Sequence, residues 1–302
     1  MHRLGVRLIL TALLTTTLSA QAPTQPQPPN APAGLDVAAI DRAIGKPGQV
    51  IGDVYKISLP RTDLKVTVAG VLVKAGFALG SWAAFKSAGS DAVVHGDLVL
   101  TDAELNPVIS GLQQHDFQIT AVHNHLILDT PHVIYVHYWG RGNAAALAKS
   151  LADALSRSKT PLTPAPAAAA GSMPQDDLPA DQIQQVLGLK GTVSNGVLAL
   201  AKPRPETIQR MGVVLPPSMG MATAINFQSA GGGKVATTGD FVMIADEVNK
   251  VARALRDHDI DIAALHNHML HGSPDLYFMH FWAVGEAGKV ASGLKAALDQ
   301  LK

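Results

Sequence analysis

Two copies of one histidine pattern carry the chemistry that this chain makes legible. His123-Asn124-His125 is followed by His137, and His266-Asn267-His268 is followed by His280. Each residue of the second set lies 143 positions after its counterpart in the first. Imidazole is the commonest metal ligand among side chains. Three histidines on two adjacent strands can hold Zn²⁺, or another divalent transition metal, and leave one coordination position open. The candidate ligands are therefore His123, His125 and His137 in one set and His266, His268 and His280 in the other. Two plainer readings stand beside this one. The histidines can form a metal-free polar or catalytic site, or they can pack and hydrogen-bond within the protein.

The elements that must position them follow from periodicity. Alternate residues of a strand share a face, so a strand over Phe117–Ile127 puts His123 and His125 together. A second strand over Val133–Trp139 returns antiparallel around Asp129-Thr130-Pro131, and a register that pairs His123 with His137 would bring all three imidazoles to one face; the sequence leaves the register open. A slip of one residue would move His137 to the other face. Upstream, Ala92–Leu100 reads as an apolar strand. Thr101-Asp-Ala-Glu104 has the form of a capping box, and Leu105, Val108, Ile109 and Leu112 follow at helical spacing. Ala144–Leu155 is amphipathic, with Leu147, Leu151 and Leu155 on one stripe. Strand–helix–strand–strand–helix predicts a two-layer α/β sandwich with a ferredoxin-like core, extended by strands over Val66–Val73 and Ser81–Lys86. The fold class is α+β.

The repeat extends well beyond the histidines. Between Leu112–Trp139 and Leu255–Trp282, 11 of 28 positions are identical. Pro60-Arg61 matches Pro203-Arg204, and Gly96-Asp97 matches Gly239-Asp240. This predicts two homologous units at 35–157 and 178–302, joined by a Pro/Ala-rich linker over 158–177. Residues 1–20 have the basic start, apolar stretch and small-residue end of a signal peptide. Residues 21–34 form a Pro-rich tether. Of the 302 residues, 47% are hydrophobic and 16% charged, with 24 basic side chains against 24 acidic and no cysteine. This balance argues against nucleic acid as a partner, and no segment after the signal peptide is long enough to hold the chain in a membrane.

Other residues have structural explanations. Glu104 is a helix cap. Arg61 and Arg204 are expected in salt bridges, and Trp139 and Trp282 in the core. His115 and His258 follow helices, where a cation is favoured. His95, His132 and His271 have no histidine counterpart in the other copy and are expected at the surface. Asp97 and Asp240 are candidates to accept a hydrogen bond from a ligand imidazole. The letters H-N-H do not make a nuclease here, because the tripeptide lies inside a strand pattern. Gly231-Gly232-Gly233-Lys234 lacks the spacing of a phosphate loop and reads as a turn.

The run from Pro60-Arg61 through Gly96-Asp97, Glu104, His123-Asn124-His125 and Pro131 to His137 resembles the LppY/LpqO family of secreted bacterial proteins. The second unit carries the same signature, from Ala264-Leu265-His266-Asn267-His268 to Phe278-Met279-His280-Phe281-Trp282. The resemblance implies a secreted bacterial protein with tandem copies of one domain, and no activity to carry over. Without cysteine the chain cannot be acylated, so a soluble periplasmic or secreted protein is expected. The function expected is binding of a divalent metal or small ligand through the histidine sets. One alternative is a metal-dependent hydrolase acting on cell-envelope material. Another is a non-catalytic interaction protein with hydrogen-bonded histidines. The partner is a small ligand or an envelope component.

Overall fold

The computed structural model describes residues 31–163 and 177–302. The signal peptide, nearly all of the tether and most of the linker lie outside the described residues. The first unit contains α1 (Val37–Ile44), β1 (Gln49–Ile51), β2 (Val54–Pro60), β3 (Thr67–Val68), β4 (Val71–Leu72) and α2 (Ala75–Ala78). It continues with β5 (Gly80–Ala88), β6 (Asp91–Thr101), α3 (Asp102–Gln114), β7 (Gln118–His123), β8 (Asp129–Thr130), β9 (Val133–Gly142) and α4 (Ala144–Leu155). The second unit repeats this plan. It opens with α5 (Ala180–Leu187), β10 (Gly191–Ser194), β11 (Val197–Pro203), β12 (Gln209–Arg210), β13 (Val213–Val214) and a 3-10 turn at Pro217–Met219. Next come β14 (Ala222–Gly231), β15 (Lys234–Met243), α6 (Ala245–Arg256), β16 (Asp261–His266), β17 (Gly272–Ser273), β18 (Tyr277–Glu286) and α7 (Ala287–Leu298).

Each unit is an antiparallel sheet of six strands, in the order β1-β2-β5-β6-β9-β7 and β10-β11-β14-β15-β18-β16. The two sheets have the same order, so the α+β tandem expectation holds. The strand–helix–strand–strand–helix core is β6-α3-β7-β9-α4. The extension over Val66–Val73 is shorter than expected: β3 and β4 are two-residue strands that form a separate small sheet with β8.

Strand alternation explains how the layers stack. Along β6, Val94, Leu98 and Leu100 point into a core shared with Val37, Ile40, Leu112, Leu147 and Leu151 of the helices. The intervening residues Val93, His95, Asp97 and Val99 point the other way, toward the second unit. Val93 packs there with Val213, Leu215, Met219 and Phe278. Val99 packs in a cluster that includes Val197 and Trp282. β15 and β18 behave alike, with Phe241 and Phe281 on the helix face and Val242 and Phe278 on the partner face. The result is four layers, helices–sheet–sheet–helices. A strand buried on both faces reads as a near-continuous apolar run, as Ala92–Leu100 does. Trp139 and Trp282 are buried as expected, but in these clusters between the units rather than in either unit's own core.

Polar contacts add to the joint between units. Gln228 Nε2 donates to Leu72 O at 2.8 Å, Asn226 Nδ2 to Phe77 O at 3.0 Å, and Thr120 Oγ1 to His268 O at 2.6 Å. Residues 158–163, placed in the linker from sequence, fold against the first unit. Lys159 N donates to Glu104 and Leu162 packs on the first core.

Arg61 and Arg204 are in the salt bridges expected of them. Arg61 reaches Glu104 at 2.8 Å and Asp63 at 2.8 Å, and Arg204 reaches Glu247 at 2.6 Å and Glu206 at 2.8 Å. Glu104 also accepts Thr101 N at 2.9 Å, the half of the capping box that ties helix to strand. The facing guanidinium holds Glu104 down at about 2, against the opposing effect of burial. Arg61 is fully buried, so removing Glu104, the more buried of its two carboxylate partners, leaves its charge only half compensated. Glu104→Ala is expected to lower unfolding free energy by about 3 kcal/mol, read as a reduced urea midpoint. A midpoint equal to wild type would refute the structural role.

Candidate metal centre

β7 was expected to run to Ile127, but it ends at His123. His125 lies beyond the strand, in the bend that leads to β8. The structure sets the hairpin register that the sequence leaves open. His123 pairs with Tyr135, and Ala121 pairs with His137. The register shift lies between Ile119 and Ala121, with the equivalent between Ile262 and Ala264. Because the slip is of two residues, His123 and His137 still share a face. Their rings are stacked with centroids 4.9 Å apart, and His125 is 5.0 Å from His123. In the second unit the corresponding distances are 5.0 Å for His266–His280 and 5.0 Å for His266–His268.

The histidine sets were read as separate, one in each unit. In the fold they meet. His123 stacks on His266 at 3.6 Å, His125 on His280 at 3.7 Å, and His137 lies 3.8 Å from His268. The last two contacts are reciprocal, so a pseudo-two-fold axis passes between His123 and His266. Tyr135 stacks under His125 at 3.5 Å and its counterpart Phe278 under His268 at 3.4 Å, which fixes the two loop histidines.

Backbone carbonyls set the tautomers. His137 Nδ1 donates to Gly96 O at 3.1 Å, and His280 Nδ1 to Gly239 O at 2.9 Å. A carbonyl only accepts, so Nδ1 carries the proton and Nε2 keeps a lone pair. Neither Nε2 has a hydrogen-bond partner. Glycine is required at both carbonyl positions. A Cβ at Gly239 would run into the Ala224 carbonyl, and one at Gly96 into the Tyr138 hydroxyl and the Trp82 carbonyl.

Asp97 and Asp240, the next residues, aim at the same space. Asp97 Oδ2 is 3.3 Å from His125 Nε2, and Asp240 Oδ2 is 3.1 Å from His268 Nε2. Each keeps its Oδ1 unpartnered. Burial pushes Asp240 up to about 6, and burial with the charge of Asp240 also pushes Asp97 well above the usual carboxylate range. Burial holds His266 and His280 down at about 4 and also lowers His123, His125, His137 and His268. The imidazoles are therefore neutral, the form that coordinates metal.

His95, expected at the surface, is fully buried in the centre. It stacks on His137 at 5.5 Å, donates Nδ1–H to Tyr138 O at 3.0 Å, and leaves Nε2 unpartnered. It was overlooked because its counterpart is Thr238. The signal that finds it is its place two residues before Asp97, on the same strand face. His132 and His271 are exposed, as expected. His115 bonds Asp153 at 2.8 Å and His258 bonds Ala254 O at 2.9 Å, both away from the centre.

Several groups have ligand atoms within 4.8 Å of one another: Asp240, His266, His268 and His280; Asp97, His125 and His137; His95, His137 and His268; His123, His125 and His280; and His123, His137 and His266. A cavity of about 320 Å³ opens beside them. Its walls break the pseudo-symmetry. Lys56 and Trp82 of the first unit line it and correspond in register to Ala199 and Ala224 of the second. Lys56 sits 4.2 Å over the Trp82 ring and donates to Ser218 O at 3.0 Å, and burial lowers it to about 8.

Fold and site together define a tandem α+β protein with one histidine- and aspartate-rich centre between its two units. The chain belongs to the family described as a domain of unknown function, DUF1259, whose pattern it matches twice, over residues 38–157 and 181–300. No curated protein matches it. Among solved structures, EtuB from Clostridium kluyveri aligns at 10% identity and a TM-score of 0.19, over 84% of this chain and 88% of that one. The trimeric bacterial microcompartment shell protein PduB aligns at 11% and 0.20, over 84% and 88%, and TP0453 at 12% and 0.17, over 88% and 98%. At these TM-scores the likeness carries no argument about fold or function.

Proposed function

We propose that this protein binds a divalent transition metal at the centre between its units. The observation that carries the reading is the pair of inward Nε2 lone pairs on His137 and His280, each fixed by a glycine carbonyl and each without a donor. An outer hydrogen bond of this kind orients a metal-bound imidazole and raises its basicity. A mixed imidazole and carboxylate set suits Zn²⁺ and its neighbours rather than Ca²⁺ or Mg²⁺. Untagged protein titrated with Zn²⁺ at pH 7.5 should bind saturably, and His280→Ala should weaken binding at least about tenfold. Absence of binding to Zn²⁺, Cu²⁺ and Ni²⁺ would leave hydrogen bonding and packing as the better account.

One observation favours a second reading, a metal-dependent hydrolase acting on envelope material. The cavity wall is asymmetric, with the cation of Lys56 and the indole of Trp82 on one side only. A binding protein has no need of that difference, whereas an enzyme requires distinct groups on the two sides of its substrate.

The setting of this function is the periplasm or the exterior, as a protein of the LppY/LpqO type. The basis is the amino-terminal sequence pattern and the absence of cysteine. Among the described residues no helix is long and apolar enough to cross a membrane. Sequencing of the exported form should find a start between about Ala20 and Thr24, and full-length protein in washed membranes would count against it.

A further inference from the structure

Nine side chains at the centre are buried or nearly so and have unpartnered polar atoms. They are His95, His123, His125, His137, His266, His268 and His280, with Asp97 and Asp240. A buried polar atom without a partner is costly, so native proteins satisfy nearly all of them. Hydrogen bonding among these residues does so only in part: His125 and His268 can donate to Asp97 Oδ2 and Asp240 Oδ2. The tautomers fixed at His95, His137 and His280 present acceptors to one another, and each aspartate Oδ1 is an acceptor too.

One ion does not close the account either. A transition ion takes four ligands in a structural site and at most about six. A single ion held by His123, His137 and His266 would leave His95, Asp97, His125, Asp240, His268 and His280 unsatisfied. Two pairs of ligand groups share no residue, but in only one pair does each group hold a carboxylate: Asp97, His125 and His137 against Asp240, His266, His268 and His280. Each combines one carboxylate with imidazoles, and each comes from a single unit. They adjoin through the His125–His280 and His137–His268 contacts.

We propose that the centre is binuclear: one divalent transition ion on Asp97, His125 and His137, and a second on Asp240, His266, His268 and His280. His123, stacked on His266 beside the pseudo-axis, and His95, stacked on His137, lie against the two sets without belonging to either. The inference rests on the metal-binding reading above and adds the number and adjacency of the ions. Two divalent ions facing two carboxylates leave net positive charge at the inner end of the cavity.

The test uses the untagged chain, stripped with chelator and saturated with Cu²⁺ or Co²⁺. Elemental analysis should give two ions per chain, and electron paramagnetic resonance of the Cu²⁺ form should show a spin-coupled pair. Asp97→Asn and Asp240→Asn should each lower the stoichiometry toward one and abolish the coupling. One ion per chain at saturation would overturn the binuclear centre while leaving metal binding intact. Two ions with uncoupled signals would overturn it as well, because the sites would not adjoin. No bound ion would remove both readings. The wild-type coupling decides the matter if a variant misfolds.

Discussion

Zn²⁺ at about a thousandfold excess over its dissociation constant should raise the unfolding free energy by about 4 kcal/mol. For a chain of this size that corresponds to a rise in Tm of roughly 7 °C. The reason is mass action. Imidazoles and carboxylates converge only in the folded state, with ring centroids 3.6–3.8 Å apart across the units, so the ion binds the native chain far better than the unfolded one. The gain should require both units. His268→Ala should remove most of it, because His268 contacts His137 of the other unit as well as Asp240. Calorimetry with and without metal measures the effect. An unchanged Tm at saturating Zn²⁺, Ni²⁺ and Cu²⁺ would contradict it.

Metal-stripped protein should lose stability steeply on acidification. His95, His266 and His280 are held at about 4 in the fold, chiefly by burial, against 6.5 for a free histidine. Between these values the unfolded chain binds protons that the folded chain refuses, so stability falls as pH falls. Above about pH 6.5 both states are neutral and nothing is lost. Below it, each such histidine costs about 1.4 kcal/mol per pH unit. Together the three remove roughly 4 kcal/mol by pH 5.5, and the other lowered histidines add to this. That is a large part of an ordinary domain's stability. Asp240 and Asp97, both raised by burial, act in the opposite direction, but the two are outnumbered by the lowered histidines. Urea midpoints at pH 7.5, 6.5 and 5.5 should be nearly level over the first step and drop sharply over the second. A midpoint flat to pH 5 would mean that the histidines are solvated.

Much of the unit could be read from its residues, because local patterns carry it. Apolar runs marked β6 and β9, Thr101 and Glu104 marked the start of α3, and the leucine stripe marked α4. The pairing of the histidines with the tandem repeat was legible for the same reason. The bulge near Thr120 was not. It sits where Thr120 bonds His268 of the other unit, a long-range contact with no local signature. The docking of sheet on sheet was equally silent. Val93, Val99, Trp139 and Trp282 are apolar whether they face a unit's own helices or its partner. That ambiguity is why two separate histidine sites were expected where the fold makes one centre. His95 and Lys56 were missed because repetition served as the test of importance, and both lie where the two copies differ.

The most direct measurement is anomalous diffraction at the zinc edge from crystals of the untagged, Zn²⁺-loaded protein. Anomalous density should lie between the two sheets, bounded by His137, His268, His280, Asp97 and Asp240. Density confined to exposed histidines such as His132 or His271, with none between the sheets, would contradict a metal centre shared by the two units.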